Sequence, residues 1–349
     1  MTAFRRCPLA VLLGVLVASA GWLGQARPLF AEPVDKLLPA ETQIVFHFDL
    51  RQLQKSQLFK KYLQKPLQNA MRENAELKKF EEATGLDILK DIHTVSLALT
   101  KFKIDPASPK VDPKDVELLA IIRGDFARDA LVKVLKKNED LESQRYQGYD
   151  IFISKESDEE FISDQRAYIC VAENGIILVS NQRGRLQKSL DGLQESEPAG
   201  IKKQLRSVIQ GIPANQTLWL AMGEVPALKE LAQQDPNAAD ALDKLIGLSL
   251  SVGVQDKITV TVRAHGKDED AAREFRAGFE KFRGLIALFA GQDQQVGPIL
   301  QDVLNTFKTG AKGTTATLEL ELSEEVLQKI VKTIQAMLGG AVQLPDQDN

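Results

Sequence analysis

The feature that most constrains how this chain can fold is an echo within it. Leu38-Pro39-Ala40-Glu41-Thr42-Gln43-Ile44-Val45-Phe46 recurs 174 positions later as Ile212-Pro213-Ala214-Asn215-Gln216-Thr217-Leu218-Trp219-Leu220. Each copy is a Pro-Ala turn that launches a β-rich run, with a helical segment behind it. Proline cannot donate to a strand ladder, so it suits the position just before a strand. A repeated strand start in a chain of 349 residues predicts two similar units.

Hydrophobic periodicity fills in both units. In the first, strands are expected over 42–49, 94–100, 117–123, 149–154, 166–172 and 175–180. The stretch 50–80 is expected to be helical, broken near Pro66, with a stop at Gly85. Asp125 is expected to cap a helix over 126–137, and 183–193 to close the half as another. Asn174-Gly175 is a hairpin signal. In the second unit strands are expected over 217–222, 247–254, 258–264 and 314–322. Helices are expected over 225–244, over 268–307 with interruptions near Gly291 and Gly297, and over 324–338. Ser323, followed by Glu324 and Glu325, supplies a cap and acids at the start of the last one.

Each half thus reads strand, helix, strand, strand, helix, strand, with additions, which is the split βαβ order. The expected fold class is α+β: two tandem ferredoxin-like halves, with mostly antiparallel sheets packed by helices. The domains run over 33–196 and 197–340, joined near 195–211, with a loose tail at 341–349. The two sheets either merge or abut.

The first residues point to export. Arg5 and Arg6 form a positive start, Leu9 to Leu23 are almost all apolar, and Gly24-Gln25-Ala26 supplies small residues for cleavage. This signal peptide, residues 1–26, is cut after Ala26 or Ala31, or kept as an anchor. Its apolar run is about 15 residues, short of the roughly 20 that a spanning helix needs. No other window approaches that length, so the mature chain is expected to lack a transmembrane segment and to be periplasmic or extracellular. Net charge is −4, and loss of Arg5 and Arg6 takes it to about −6. That balance argues against nucleic acid as a partner and against an anionic membrane surface. Processing also leaves Cys170 as the one thiol, which excludes an intramolecular disulfide and a two-thiol metal site. Inside Ala167-Tyr168-Ile169-Cys170-Val171 it is expected as a buried core residue.

Motifs that carry chemistry are scarce. His47 lies between Phe46 and Phe48, and strand alternation puts Val45, His47 and Asp49 on one side. A His and a carboxylate two apart on a strand could act as a base and its orienter, so His47 and Asp49 are the candidate catalytic pair. A structural hydrogen bond at a strand end is the plainer use of both. His93 begins a strand and His265 ends one, and no two histidines have zinc-hydrolase spacing. The acids at Glu156, Asp158, Glu159, Glu160 and Asp164 lack the alternation and the Gly of a calcium loop. Asp105 to Asp115 is rich in Pro and Asp and is expected to be an exposed loop. Gly310-Ala311-Lys312-Gly313-Thr314 has phosphate-loop residue types in the wrong order. There is no Gly-x-Ser-x-Gly elbow and no dinucleotide fingerprint, so neither metal nor cofactor is expected. Asn215-Gln216-Thr217 fits the glycosylation triplet. Finally, Phe275, Phe279, Phe282, Ile286 and Phe289 form one face of a helix among Arg273, Arg276, Lys281 and Arg283. Packing against the second sheet is its ordinary use; an acyl-chain groove, a partner helix or a membrane surface are the others.

Three segments carry a resemblance. They are Leu38-Pro39-Ala40 leading to Asp49-Leu50, Gly85-Leu86-Asp87-Ile88-Leu89-Lys90-Asp91-Ile92, and Arg123-Gly124-Asp125-Phe126 with the later Tyr146-Gln147-Gly148-Tyr149. Over residues 38 to 194 the chain resembles a group of exported bacterial proteins of uncharacterised function. The resemblance implies an envelope location and a related fold, and it brings no catalytic residue with it. The expected function is a non-enzymatic binding or structural module of the cell envelope. The alternatives are a hydrolase using His47 and Asp49, and a carrier of an apolar ligand or lipid using the Phe275 to Phe289 face.

Overall fold

A computed structural model describes residues 36–102, 115–155, 166–172, 175–194, 200–232, 236–291 and 297–337. The signal segment, the acidic run at 156–160, most of the 105–115 loop and the 341–349 tail lie outside the described residues. In chain order the first half comprises β1 (Ile44–Asp49), α1 (Leu50–Lys55), a π-helical turn (Phe59–Leu63), α2 (Gln64–Glu73), α3 (Ala75–Thr84), α4 (Ile88–Asp91), β2 (Ile92–Phe102), β3 (Val116–Gly124), α5 (Arg128–Lys137), β4 (Leu141–Tyr146), β5 (Tyr149–Ser154), β6 (Tyr168–Ala172), β7 (Ile176–Ser180) and α6 (Arg183–Gln194). The second comprises α7 (Lys203–Gln210), β8 (Leu218–Met222), α8 (Pro226–Ala232), α9 (Pro236–Lys244), β9 (Leu245–Val254), β10 (Ile258–Gly266), α10 (Glu269–Ala290), α11 (Gly297–Asn305), β11 (Lys308–Lys312), β12 (Thr315–Leu322) and α12 (Glu324–Met337).

All twelve strands join one antiparallel sheet, in the order β11-β12-β10-β9-β8-β1-β2-β3-β7-β6-β5-β4. The class is α+β, as expected, but the two ferredoxin-like halves are not what the strand order shows. A split βαβ unit delivers its second strand parallel to the first, with another strand between them. Here β1 pairs directly with β2, antiparallel, with Asp49 opposite Thr94. The short helices between them double back and return the chain to the end of the sheet it left, and only an antiparallel neighbour can start there. The second half does the same, with Met222 of β8 opposite Leu248 of β9. Each half runs three strands outward, crosses by helix to the edge, and comes back strand by strand until its last strand reaches its third.

The sheets merge rather than abut. β1 pairs with β8, and the pairing is symmetric about Phe46 and Leu220, which hold matching places in the two Pro-Ala segments. The Asp49 N–H donates to the Thr217 carbonyl at 2.8 Å, and the Gly223 N–H donates to the Gln43 carbonyl at 3.0 Å. Those two bonds close the strand pair at its ends.

Helices cover both faces. On the first face α1, the π turn, α3, α4, α5 and α12 pack over Phe48, Val95, Ile122, Phe152, Ile169, Leu218 and Ile258. On the second, α6 and α7 pack over Val45, Ala98, Ile121, Ile151, Cys170, Leu178 and Ala221. Pro66 does not break the helical stretch. It sits in the first turn of α2, where a missing N–H breaks no bond, and the breaks fall at Ser56 and Asn74 instead. Ser323 caps α12 as expected, its Oγ accepting from Val326 N at 3.3 Å. Asp125 does not cap α5: the helix begins at Arg128, and the Asp125 carboxylate lies 3.0 Å from His93 Nε2.

Candidate functional site

The paired residues of the hydrolase expectation serve separate ends. His47 is on β1, its Nδ1 2.8 Å from Ser96 Oγ on β2, and its ring stacks on Trp219 with centroids 5.0 Å apart. Asp49 ends the strand and caps α1, its Oδ1 accepting from Gln52 N at 2.9 Å. Cys170 is fully buried, and burial pushes its thiol up to about 12, which leaves it protonated and unreactive at ordinary pH. Among the described residues no cluster of three or more His, Cys, Asp and Glu is placed to hold a metal ion. Gly310 to Lys312 is part of strand β11. Asn215, in a left-handed turn before β8, accepts from Gln52 Nε2 at 3.3 Å.

The motifs behind the family resemblance are turn and packing chemistry. Gly85 adopts φ +71°, and Asp87 caps α4 by accepting from Leu89 N and Lys90 N. At the Gly124 junction a side chain has no room: a Cβ would stand 1.9 Å from the Asp91 carbonyl oxygen. The Asp125 N–H donates to that same carbonyl at 2.8 Å, and Gly124 N–H to Gly175 O at 3.0 Å. Gln147 and Gly148 both have positive φ and turn β4 into β5.

A different feature distinguishes the first face. Its central strands carry two adjacent rows of large apolar side chains, each residue the cross-strand partner of the next. One row is Leu97, Phe46, Leu220, Leu250 and Val262; the other is Leu118, Leu99, Ile44, Met222 and Leu248. None of the ten is fully buried. Elsewhere on the sheet Ile121, Ile122 and Leu178 are at most 1% exposed. At one end of the band the helices are tied across the halves by Tyr62 and Lys61, each 2.6 Å from Glu324. At the other, Lys244 at the end of α9 bridges to Glu274 on α10 at 2.8 Å.

The aromatic stripe of α10 divides between two uses. Ala271, Ala272, Phe275, Phe279 and Ile286 turn inward, where Glu280 meets Thr309 of β11. Phe282 and Phe289, with Leu285 and Leu288, stay 54–64% exposed at the far end of the helix. Sheet packing therefore accounts for the first half of the stripe and not for the second. Sequence periodicity found this helix. It did not find the band, because the same alternation would arise on a strand whose apolar face was covered.

No helix of the described residues is long and apolar enough to cross a membrane. The fold is similar to solved structures of TP0453. Crystal form III is 10% identical over 89% of this chain and 99% of that one, with a TM-score of 0.44. Crystal form IV is 9% identical over 86% and 96%, with a TM-score of 0.46. No curated protein matches. A family match covers residues 8–268, enclosing the 38–194 stretch of the resemblance and crossing the β1–β8 junction. On that span the chain belongs to the family described as Protein of unknown function (DUF3352).

Proposed function

We propose that this protein is a non-enzymatic binding module of the cell envelope, exported behind residues 1–26, which holds an acyl chain against the first face of its sheet. The observation that carries the reading is the band of ten incompletely buried apolar side chains, together with the exposed apolar end of α10 on the same sheet's second half. Soluble proteins rarely leave a contiguous apolar surface uncovered unless something binds there. Five strands at about 4.8 Å spacing extend each row over about 19 Å, the reach of a long acyl chain. Each Å² of that surface removed from water contributes about 25 cal/mol. The flanking Arg276, Lys281 and Arg283 suit an acidic headgroup at the mouth. The matched strand starts at Leu38 and Ile212, with the symmetric β1–β8 register, support reading 33–196 and 197–340 as two repeat units sharing one sheet.

Titration of the purified protein with a fluorescent long-chain fatty acid tests this. Saturable binding is expected, weakened about tenfold by Leu250→Gln, which removes one apolar side chain from the band and adds an amide. Phe282→Ser with Leu288→Ser is expected to weaken binding without lowering Tm, because both side chains are exposed. Absence of saturable binding, with no lipid in organic extracts of the protein, would overturn the reading.

A further inference from the structure

The second face of the same strands carries the opposite anomaly. Along β9 from 247 to 253 every position on that face is Gly or Ser: Gly247, Ser249, Ser251 and Gly253. Small residues let α7 come close at one end, where a Cβ at Gly247 would stand 2.5 Å from Val208 Cγ2. Ser249 and Ser251 lie on this face at 1% exposure, and neither hydroxyl has a hydrogen-bond partner. Arg263 on β10 is the cross-strand partner of Ser249, and Thr261 that of Ser251. His265 follows two positions along the same face.

Two cationic or donor groups there are also unmatched. Arg263 is half-buried, its Nη1 has no partner, and it makes no hydrogen bond or ion pair with the described residues. His265 sets Nδ1 3.3 Å from Thr315 Oγ1, and its Nε2 is buried and unpartnered. Burial lowers the pKa of both side chains, and the charge of Arg263 lowers that of His265 further. A guanidinium and two hydroxyls withdrawn from water without partners are costly to keep. If the Thr315 hydroxyl donates to Nδ1, Nε2 carries the imidazole proton and becomes a donor as well. Guanidinium, imidazole and two hydroxyls then lie at neighbouring positions on one patch of two strands. Such a donor set, with cationic charge, matches the several acceptors of a tetrahedral oxyanion.

We propose that Ser249, Ser251, Arg263 and His265 form a binding site for a phosphate group on the second face of the sheet. The Glu319 carboxylate, on β12 opposite Thr261, is within Coulombic reach of Arg263 and opposes the anion. This site does not depend on the acyl-chain reading, since it lies on the other face.

Calorimetric titration of the full chain with inorganic phosphate at constant ionic strength tests it. Saturable binding is expected, weakened about tenfold or more by Arg263→Gln and tightened by Glu319→Gln. Without phosphate, R263Q is expected to keep or raise Tm, because it removes a half-buried charge that forms no ion pair among the described residues; a merely structural arginine would lower it. If R263Q does not fold, Ser251→Ala and Glu319→Gln decide, with opposite effects on phosphate affinity. Vesicles containing phosphatidylglycerol distinguish the source of the group. Competition of the vesicles with inorganic phosphate, lost in R263Q, assigns the site to a lipid headgroup; lack of competition assigns it to a free phosphate. Leu250→Gln is expected to leave phosphate binding unchanged. No saturable binding of phosphate or vesicles, or undiminished binding in R263Q, overturns the proposal.

Discussion

On its second face the sheet changes character between its two halves. Under α6 the first half offers Leu119, Ile121, Ile151, Cys170 and Leu178, all at most 1% exposed. On the other side of the β1–β8 junction the equivalent face is Trp219, Ser249, Ser251, Thr261, Arg263 and His265. The first face is closed over Ile122, Ile169 and Ile177 and less tightly covered along the apolar band, which takes five residues from β1–β3 and five from β8–β10. One sheet therefore joins a part packed with apolar side chains on both faces to a part whose second face is polar and whose first face is incompletely buried. Inner strands such as β6 and β7 are apolar at nearly every position, as strands covered on both faces must be. Those of the other part alternate. The stability of the whole can rest on the first, which leaves the second free to keep groups that folding alone does not favour.

The largest effect that could break this comparison is a truncation made once in each half. Leu178→Ala should cost about 3 kcal/mol through lost burial and a residual cavity, whereas half-exposed Leu250→Ala should cost about 1 kcal/mol. Urea melts of the two variants decide it, and equal losses would mean the second half is as closed as the first. Polar exchanges at buried second-face positions should differ in sign. Cys170→Ser places a hydroxyl in a dry apolar layer and should destabilise by about 1–3 kcal/mol, while Ser251→Ala removes a hydroxyl that has no partner and should be neutral or mildly stabilising. The smallest effect sharpens the picture of the closed half. The Cys170 thiol is pushed up to about 12 from an ordinary 9.0, so its neutral form favours the folded state. That contribution is whole below the ordinary value and fades as pH rises toward 12. The stability difference between wild type and Cys170→Ala should therefore shrink from about pH 8 to pH 11. Iodoacetamide should modify Cys170 only after unfolding.

The fold was legible where periodicity was strong. The β9–β10 hairpin around Gln255-Asp256, the run of β5, β6 and β7, and the break of the long helical region near Gly291 all lie where residue pattern places them. Strands β4 and β11 were not legible. Leu141-Glu142-Ser143-Gln144-Arg145-Tyr146 and Lys308-Thr309-Gly310-Ala311-Lys312 form the two edges of the sheet. Edge strands are held by pairing on one side and are kept polar against unwanted partners, so they lack the apolar alternation that marks an inner strand. The Asp125 cap failed for a related reason. A cap residue is free to act only if nothing else competes for its carboxylate, and His93, distant in sequence, does compete.

For the candidate sites, His265 and the α10 stripe were visible as residue types, but Arg263, Ser249 and Ser251 carried no signal. A serine in an alternating strand reads as a solvent-facing position until a neighbouring helix covers it. The sequence by itself determined which residues share a side of each inner strand and where the hairpins turn, because those depend on chain neighbours within a few positions. Only the tertiary structure decided that β1 pairs with β8, that the halves share one sheet, and which parts of each face the helices cover. Such choices are made by hydrogen-bond ladders between strands more than a hundred residues apart, and no local pattern specifies which ladder forms or what comes to lie upon it.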